Sequence, residues 1–264
     1  MMDFLKNTFG DKSIVEHIHS LMTETNIRDP LTEEHGMMRA SGIFDGCPRE
    51  EALFSIYNIQ KKEVIGEKLW KVFRFGRVFE VFFRDELLGK ANLVIGRWEC
   101  VACGFVPERK ESPRYARPES CEICGCENLR YVEETLTSKE YGVSGHPDGF
   151  LHWDRDYYIL ELKTANSFNF SKVQADPFPR HTAQVQVYMH LTGYRKALIW
   201  YFNKDTAEDV VHEVRYDPDY ALRLLAKGTE LKQWFKTKVL PPRICPNSMC
   251  ARARRCQVSK LCFT

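Results

Sequence analysis

Residues 157–164, Tyr-Tyr-Ile-Leu-Glu-Leu-Lys-Thr, constrain the fold of this chain more than any other stretch. In a strand, successive side chains turn to opposite faces. Tyr157, Ile159, Glu161 and Lys163 therefore share one face, and Tyr158, Leu160 and Leu162 the other. Gly145-His-Pro-Asp148-Gly comes before it across a short polar turn, so the two segments read as a hairpin with Asp148 on its first arm. A charged pair ending an otherwise apolar, aromatic strand is costly to bury without partners. Two acids and a lysine meeting at one point suit a divalent metal and a water.

The remaining elements follow from periodicity. Ile14, Ile18 and Leu21 predict a short amphipathic helix from residue 11 to about 25, ended by Asp29-Pro30. Pro48 opens a helix that carries Ala52, Leu53 and Ile56. From 64 to 88 the apolar residues keep helical spacing, with Gly66 and Gly76 as breaks and Gly89 as a C-terminal cap. Glu80 falls on the face of Phe73, Gly76, Phe83 and Leu87, either as a surface acid or as an inward ligand. Strands are expected over 93–98, 129–136, 197–202 and 210–215, and helices over 180–193 and from Asp217-Pro-Asp219 to Pro241-Pro242. Helices, then strands, then helix and strand imply a mixed α/β class, a central sheet flanked by helices.

Ten cysteines among 264 residues fall into groups: five over 100–126, four over 245–262, and Cys47 alone. The N-terminus Met-Met-Asp-Phe-Leu-Lys lacks the apolar core of a signal peptide, and no apolar run approaches membrane-spanning length. A cytoplasmic protein is expected (in the host cytoplasm if the chain is viral), where thiols stay reduced and grouped cysteines point to metal. Cys100-Val-Ala-Cys103-Gly and Cys121-Glu-Ile-Cys124-Gly are two knuckles that together make a structural four-thiolate zinc site. Cys126 is left as a spare. Cys245, Cys250, Cys256 and Cys262 do not match knuckle spacing and better suit an iron–sulfur cluster, with a looser zinc site as the alternative. The net charge of +2 is too small to argue for nucleic acid by itself, although Arg109, Lys110, Arg114 and Arg117 make the loop between the knuckles basic.

On the 180–193 helix, Gln184 and Tyr188 are four residues apart and share one face, with His181 on the same side. In chain order, Asp148, Glu161-x-Lys163 and Gln184-Val-Gln-Val-Tyr188 resemble the PD-(D/E)XK nuclease superfamily. The RecB-like branch with an iron–sulfur cluster is the more specific likeness; it includes CRISPR-adaptation nucleases and AddB-type nuclease domains. Cys47-Pro48-Arg49 and the cysteine tail match the cluster signature of that branch. The chain departs from it where a histidine is usual and Gly76-Arg-Val-Phe-Glu80 stands, and in the wider step from Cys245 to Cys250.

The resemblance implies a restriction-endonuclease-like core over 39–264 behind a helical segment, 1–38. A zinc ribbon over 98–128 is inserted in that core, and a cluster tail covers 241–264. It implies Mg2+ or Mn2+ on Asp148, Glu161, the Leu162 carbonyl and Glu80, with Lys163 orienting the attacking water. It also implies a 4Fe-4S cluster on Cys47 and the tail cysteines, one of the five being spare. Gln184, Tyr188 and His181 would contact substrate. The implied activity is a metal-dependent DNA exonuclease on single strands or free ends, acting with recombination or CRISPR-adaptation proteins and without a membrane. The alternative is a nucleic-acid-binding adaptor that keeps the nuclease fold without catalysis.

Overall fold

A computed structural model describes residues 16, 19, 21–28, 36–107 and 116–264. Most of the helix expected over 11–25 lies outside them, as do Arg109, Lys110 and Arg114. Glu16, His19 and Leu21 are helical, but Glu24–Arg28 is a strand, β1, so the expected helix stops short of residue 25. Its partner is β3, Lys61–Ile65, antiparallel through Glu24 opposite Ile65. The apolar spacing around Val64 and Ile65 belongs to this strand and not to the start of a long helix.

Between them come the short β2, Met38–Arg39, and α1, Pro48–Ile56, with Pro48 in its first turn. Gly66 caps the N-terminus of α2, Glu67–Val81, and Gly76 sits inside it without breaking it. The helix then continues as a π-helical turn, Phe82–Leu88. Gly89 ends it with ordinary negative φ, so it is no left-handed cap. Its role is contact: a Cβ on Gly89 would lie 2.7 Å from the Trp98 ring and 2.5 Å from the Asp85 carbonyl oxygen.

Two strands replace each of two expected ones. Residues 93–98 divide into β4, Val94–Ile95, and β5, Arg97–Cys100, while 129–136 divides into β6, Leu129–Val132, and β7, Leu136–Ser138. β8, Val143–Gly145, pairs with β2 and β7 in a three-stranded sheet. The hairpin is β9, Gly149–Trp153, and β10, Asp156–Ala165, with Asp148 immediately before its first arm. A helical turn, α3 (Ser167–Phe170), and α4, Pro179–Thr192, lead to β11, Lys196–Asn203, and β12, Asp209–Arg215. Asp217 accepts a hydrogen bond from the Tyr220 N–H and so caps α5, Pro218–Thr237. The tail ends in α6, Ser259–Phe263.

The central sheet has the order β12-β11-β10-β9-β4. Only β10 and β11 are parallel, and α4 makes the crossover that such a pair needs. The mixed α/β class follows. One face buries Ile159, Ala197, Ile199 and Tyr201 against α4 and α5. The other buries Tyr158, Leu160 and Leu162 with Trp98, Cys100, Cys121, Leu129 and Tyr131. The cysteine ribbon is therefore continuous with the core beneath β10. Among the described residues, no helix is long and apolar enough to cross a membrane.

Candidate active site and metal centres

The site forms where β10 outruns its neighbour. β9 pairs with β10 only as far as Gly149 opposite Leu160, which leaves residues 161–165 without a partner on that edge. Asp148 turns into the gap, and its Oδ2 accepts the free Leu162 N–H at 2.6 Å. α2 lies over the same strand, Gly76 beside Thr164 and Phe79 against Phe202, and so brings Glu80 to the gap.

The four residues expected to do chemistry are thus brought together, each leaning on a protein partner. Glu161 is wholly buried, and its oxygens accept no hydrogen bond of ordinary geometry; Lys163 Nζ sits against Oε1 as an ion pair. Burial, then the neighbouring Asp148 charge, pushes the Glu161 carboxyl up to about 8 against the pull of Lys163. Glu80 is raised to about 7 by burial and then by Asp148. Burial also raises Asp148, opposed by Lys163 and the Leu162 amide. For Lys163, burial alone would favour the neutral amine, but Glu161 and Asp148 outweigh it and hold the ammonium. The mutual repulsion shows in these shifts: three acids share one desolvated edge.

Sequence reasoning missed the cations on Glu80. Arg84 Nη1 donates to Glu80 Oε1 at 2.8 Å, to the Asp148 carbonyl at 3.0 Å and to Glu133 Oε1 at 3.4 Å. Arg77 bridges Glu80 at 3.2 Å and Glu133 at 2.6 Å. The signal was available: Arg77, Glu80 and Arg84 stand three and four residues apart, on one helix face. Glu133, just past β6, carries no comparable mark.

Gln184 and Tyr188 do share a face, with Gln184 Nε2 donating to the Tyr188 hydroxyl at 3.1 Å. Both are buried, however, and the Tyr188 hydroxyl donates to the His146 carbonyl at 3.0 Å. They hold the loop that carries Asp148. His181 Nδ1 is 2.6 Å from the Tyr201 hydroxyl, and burial, Lys163 and Arg180 lower its pKa to about 3, so it is neutral.

The ribbon places Cys100 Sγ 3.5 Å from Cys124 Sγ and Cys103 Sγ 3.6 Å from Cys121 Sγ. All four sulfurs lie within 4.8 Å of one another, the only such group among the described residues. The acids of the β10 edge are not drawn that close. Each knuckle closes alike: Gly104 N–H donates to the Cys100 carbonyl and Gly125 N–H to the Cys121 carbonyl, both glycines at φ +72°. Amide N–H groups of Cys103 and Ala102 help lower the Cys100 thiol to about 6. The four thiols fit a metal.

Cys47, Cys245, Cys256 and Cys262 line a separate pocket with Arg49, Glu50 and Arg252. The Cys250 sulfur accepts the Ala253 N–H at 3.4 Å. Packing of Leu53 and Phe54 on α1 against Val258 closes this end of the chain.

The chain matches no protein-family model and no curated protein. It is similar to the crystal structure of SSO0001 at 16% identity and TM-score 0.44, with 88% of each chain covered. An alkaline exonuclease from Laribacter hongkongensis gives 13% identity and TM-score 0.48 over 78% of this chain and 94% of that one. The same exonuclease in complex with dAMP gives 12% and 0.47. Likeness this distant decides nothing about the reaction.

Proposed function

We propose that this chain is a metal-dependent deoxyribonuclease that acts on single-stranded DNA or free DNA ends. The observation that carries the reading is the open edge of β10, where Asp148, a wholly buried Glu161 and a charged Lys163 meet Glu80. Asp148, Glu161, Glu80 and the Leu162 carbonyl would hold Mg2+ or Mn2+, since hard oxygen donors suit both ions. When bound, such an ion supplies Lewis-acid polarisation of the scissile phosphate and an acidified water. Lys163 Nζ orients that water and balances charge developing on the phosphate. Gln184 and Tyr188 keep the Asp148 loop in register with β10.

A polymer substrate is supported by the outer side of α2. Phe75 and Phe82 are more than half exposed and, at seven-residue spacing, share that face with the exposed Lys68. Rings and cations interleaved in this way let bases stack while phosphates are neutralised. We assign zinc to the ribbon, because a tetrahedral ion with bonds of about 2.3 Å sets its thiolates about 3.8 Å apart. A four-iron cube places its own atoms between the thiolates and needs them wider. The pocket of Cys47 and the tail is the better place for a 4Fe-4S cluster.

End-labelled single- and double-stranded DNA with Mg2+ or Mn2+ tests the activity. Lys163→Ala is expected to lower cleavage about 10²–10³-fold while the protein still folds and binds DNA. Cleavage that survives in this variant removes the assignment of the site, and no cleavage of any DNA or RNA by the wild type favours an adaptor. Colourless protein containing zinc alone after anaerobic purification overturns the cluster.

A further inference from the structure

Two consecutive charged residues, Arg84 and Asp85, are each 2% exposed, and they sit where the helix changes to π-type hydrogen bonding. A helix seldom buries neighbouring charges, and π turns are frequent at functional sites. Asp85 faces two ways. Its Oδ1 accepts from Arg84 Nε at 2.7 Å, and its Oδ2 accepts from the Tyr131 N–H at 3.0 Å. Tyr131 belongs to β6, which pairs with β5 through Trp98 opposite Tyr131 and Cys100 opposite Leu129. Its ring lies 4.8 Å from the Arg84 guanidinium and meets Trp98 edge-on at 5.4 Å. Arg84 in turn fixes Glu80 and the Asp148 carbonyl.

We infer that Arg84 and Asp85 are positioning residues that couple the cysteine ribbon to the carboxylate edge, an inference resting on the nuclease reading of that edge. The path is continuous: the four thiols set β5 and β6, Tyr131 sets Asp85, Asp85 orients Arg84, and Arg84 sets Glu80 and the Asp148 loop. An arginine suits the task because its planar fork holds the Nε donor to Asp85 and the Nη1 donor to Glu80 and the Asp148 carbonyl in fixed relation, which a lysine's single ammonium does not. Orientation of ligating carboxylates by such partners commonly governs metal affinity. The ribbon then acts as part of the site's frame.

The test uses the full-length, zinc-loaded chain with Asp85→Asn and Arg84→Lys. The asparagine carbonyl still accepts the Tyr131 N–H, but its amide cannot accept from Arg84 Nε. Hydrogen exchange is read on the peptide containing Leu162, whose N–H is held by Asp148, and Mn2+ affinity is read by magnetic resonance. Both variants are expected to keep their zinc and the protection of α5. The Leu162 peptide should exchange roughly tenfold faster, and Mn2+ should bind about tenfold more weakly. Wild-type protein stripped of zinc should show the same exchange change, a readout that survives if a variant fails to fold. Unchanged exchange at Leu162 in the stripped protein and in folded variants overturns the coupling. Wild-type protein that cleaves no DNA would remove the nuclease reading and leave the exchange result standing, so the two failures are distinguishable.

Discussion

The two cysteine groups of this chain are built on opposite plans. In the ribbon, each pair of thiols is set by its own tight turn, and the two turns repeat each other down to the glycine φ angles. In the tail, Cys245, Cys256 and Cys262 line one pocket with the distant Cys47, at the end of the molecule where Leu53 and Phe54 pack on Val258. Local turn geometry explains why the ribbon sulfurs converge within 4.8 Å, whereas the tail cysteines reach their common pocket through tertiary packing. One group is written in adjacent residues and the other in the fold.

The sharpest way to break this contrast is to remove a ribbon thiol. Cys121 is buried in the cluster that also holds Leu160 and Leu162, on either side of Glu161. Cys121→Ser is expected to lose its zinc and to destabilise the chain by about 3 kcal/mol or more, a fall in Tm on the order of 10 °C. Zinc analysis with thermal melting measures both. A variant that loses zinc but melts like the wild type would make the ribbon an appendage after all.

A smaller effect separates the tail. Val258 is fully buried against α1. Val258→Ala removes two methyl groups, worth about 2 kcal/mol with the cavity they leave. The expected signature is a lower iron content after anaerobic purification with zinc unchanged. Equal iron in both proteins would mean that the tail thiols hold together without this packing.

The same distinction decides what was legible in the sequence. The alternation of β10, the knuckles and the Gln184–Tyr188 pair are local patterns, and each appears as expected. Arg84 carries a local mark in Glu80, four residues before it, but its partners Glu133 and the Asp148 carbonyl are 49 and 64 residues away and leave no pattern in the sequence. For Gln184 and Tyr188, spacing gives the shared face, while their burial depends on what covers it. Gly76 and Gly89 show the limit on backbone signals. Gly76 leaves its helix unbroken, and Gly89 stands at the helix end as expected, but at negative φ, where close packing and not free turn conformation explains the glycine.

The finest test concerns Cys126, two residues past the second knuckle. Its carbonyl accepts the Cys121 N–H at 2.9 Å, and its sulfur accepts the Asn128 N–H at 3.4 Å. The first of these is backbone and survives any substitution, and a serine hydroxyl can take over the second. Cys126 also stands outside the four-thiol group. Cys126→Ser is therefore expected to change stability by less than about 0.5 kcal/mol and to leave zinc content as in the wild type. Lost zinc in this variant would mean that five thiols share the ion's site, and the symmetry of the two knuckles would no longer account for it.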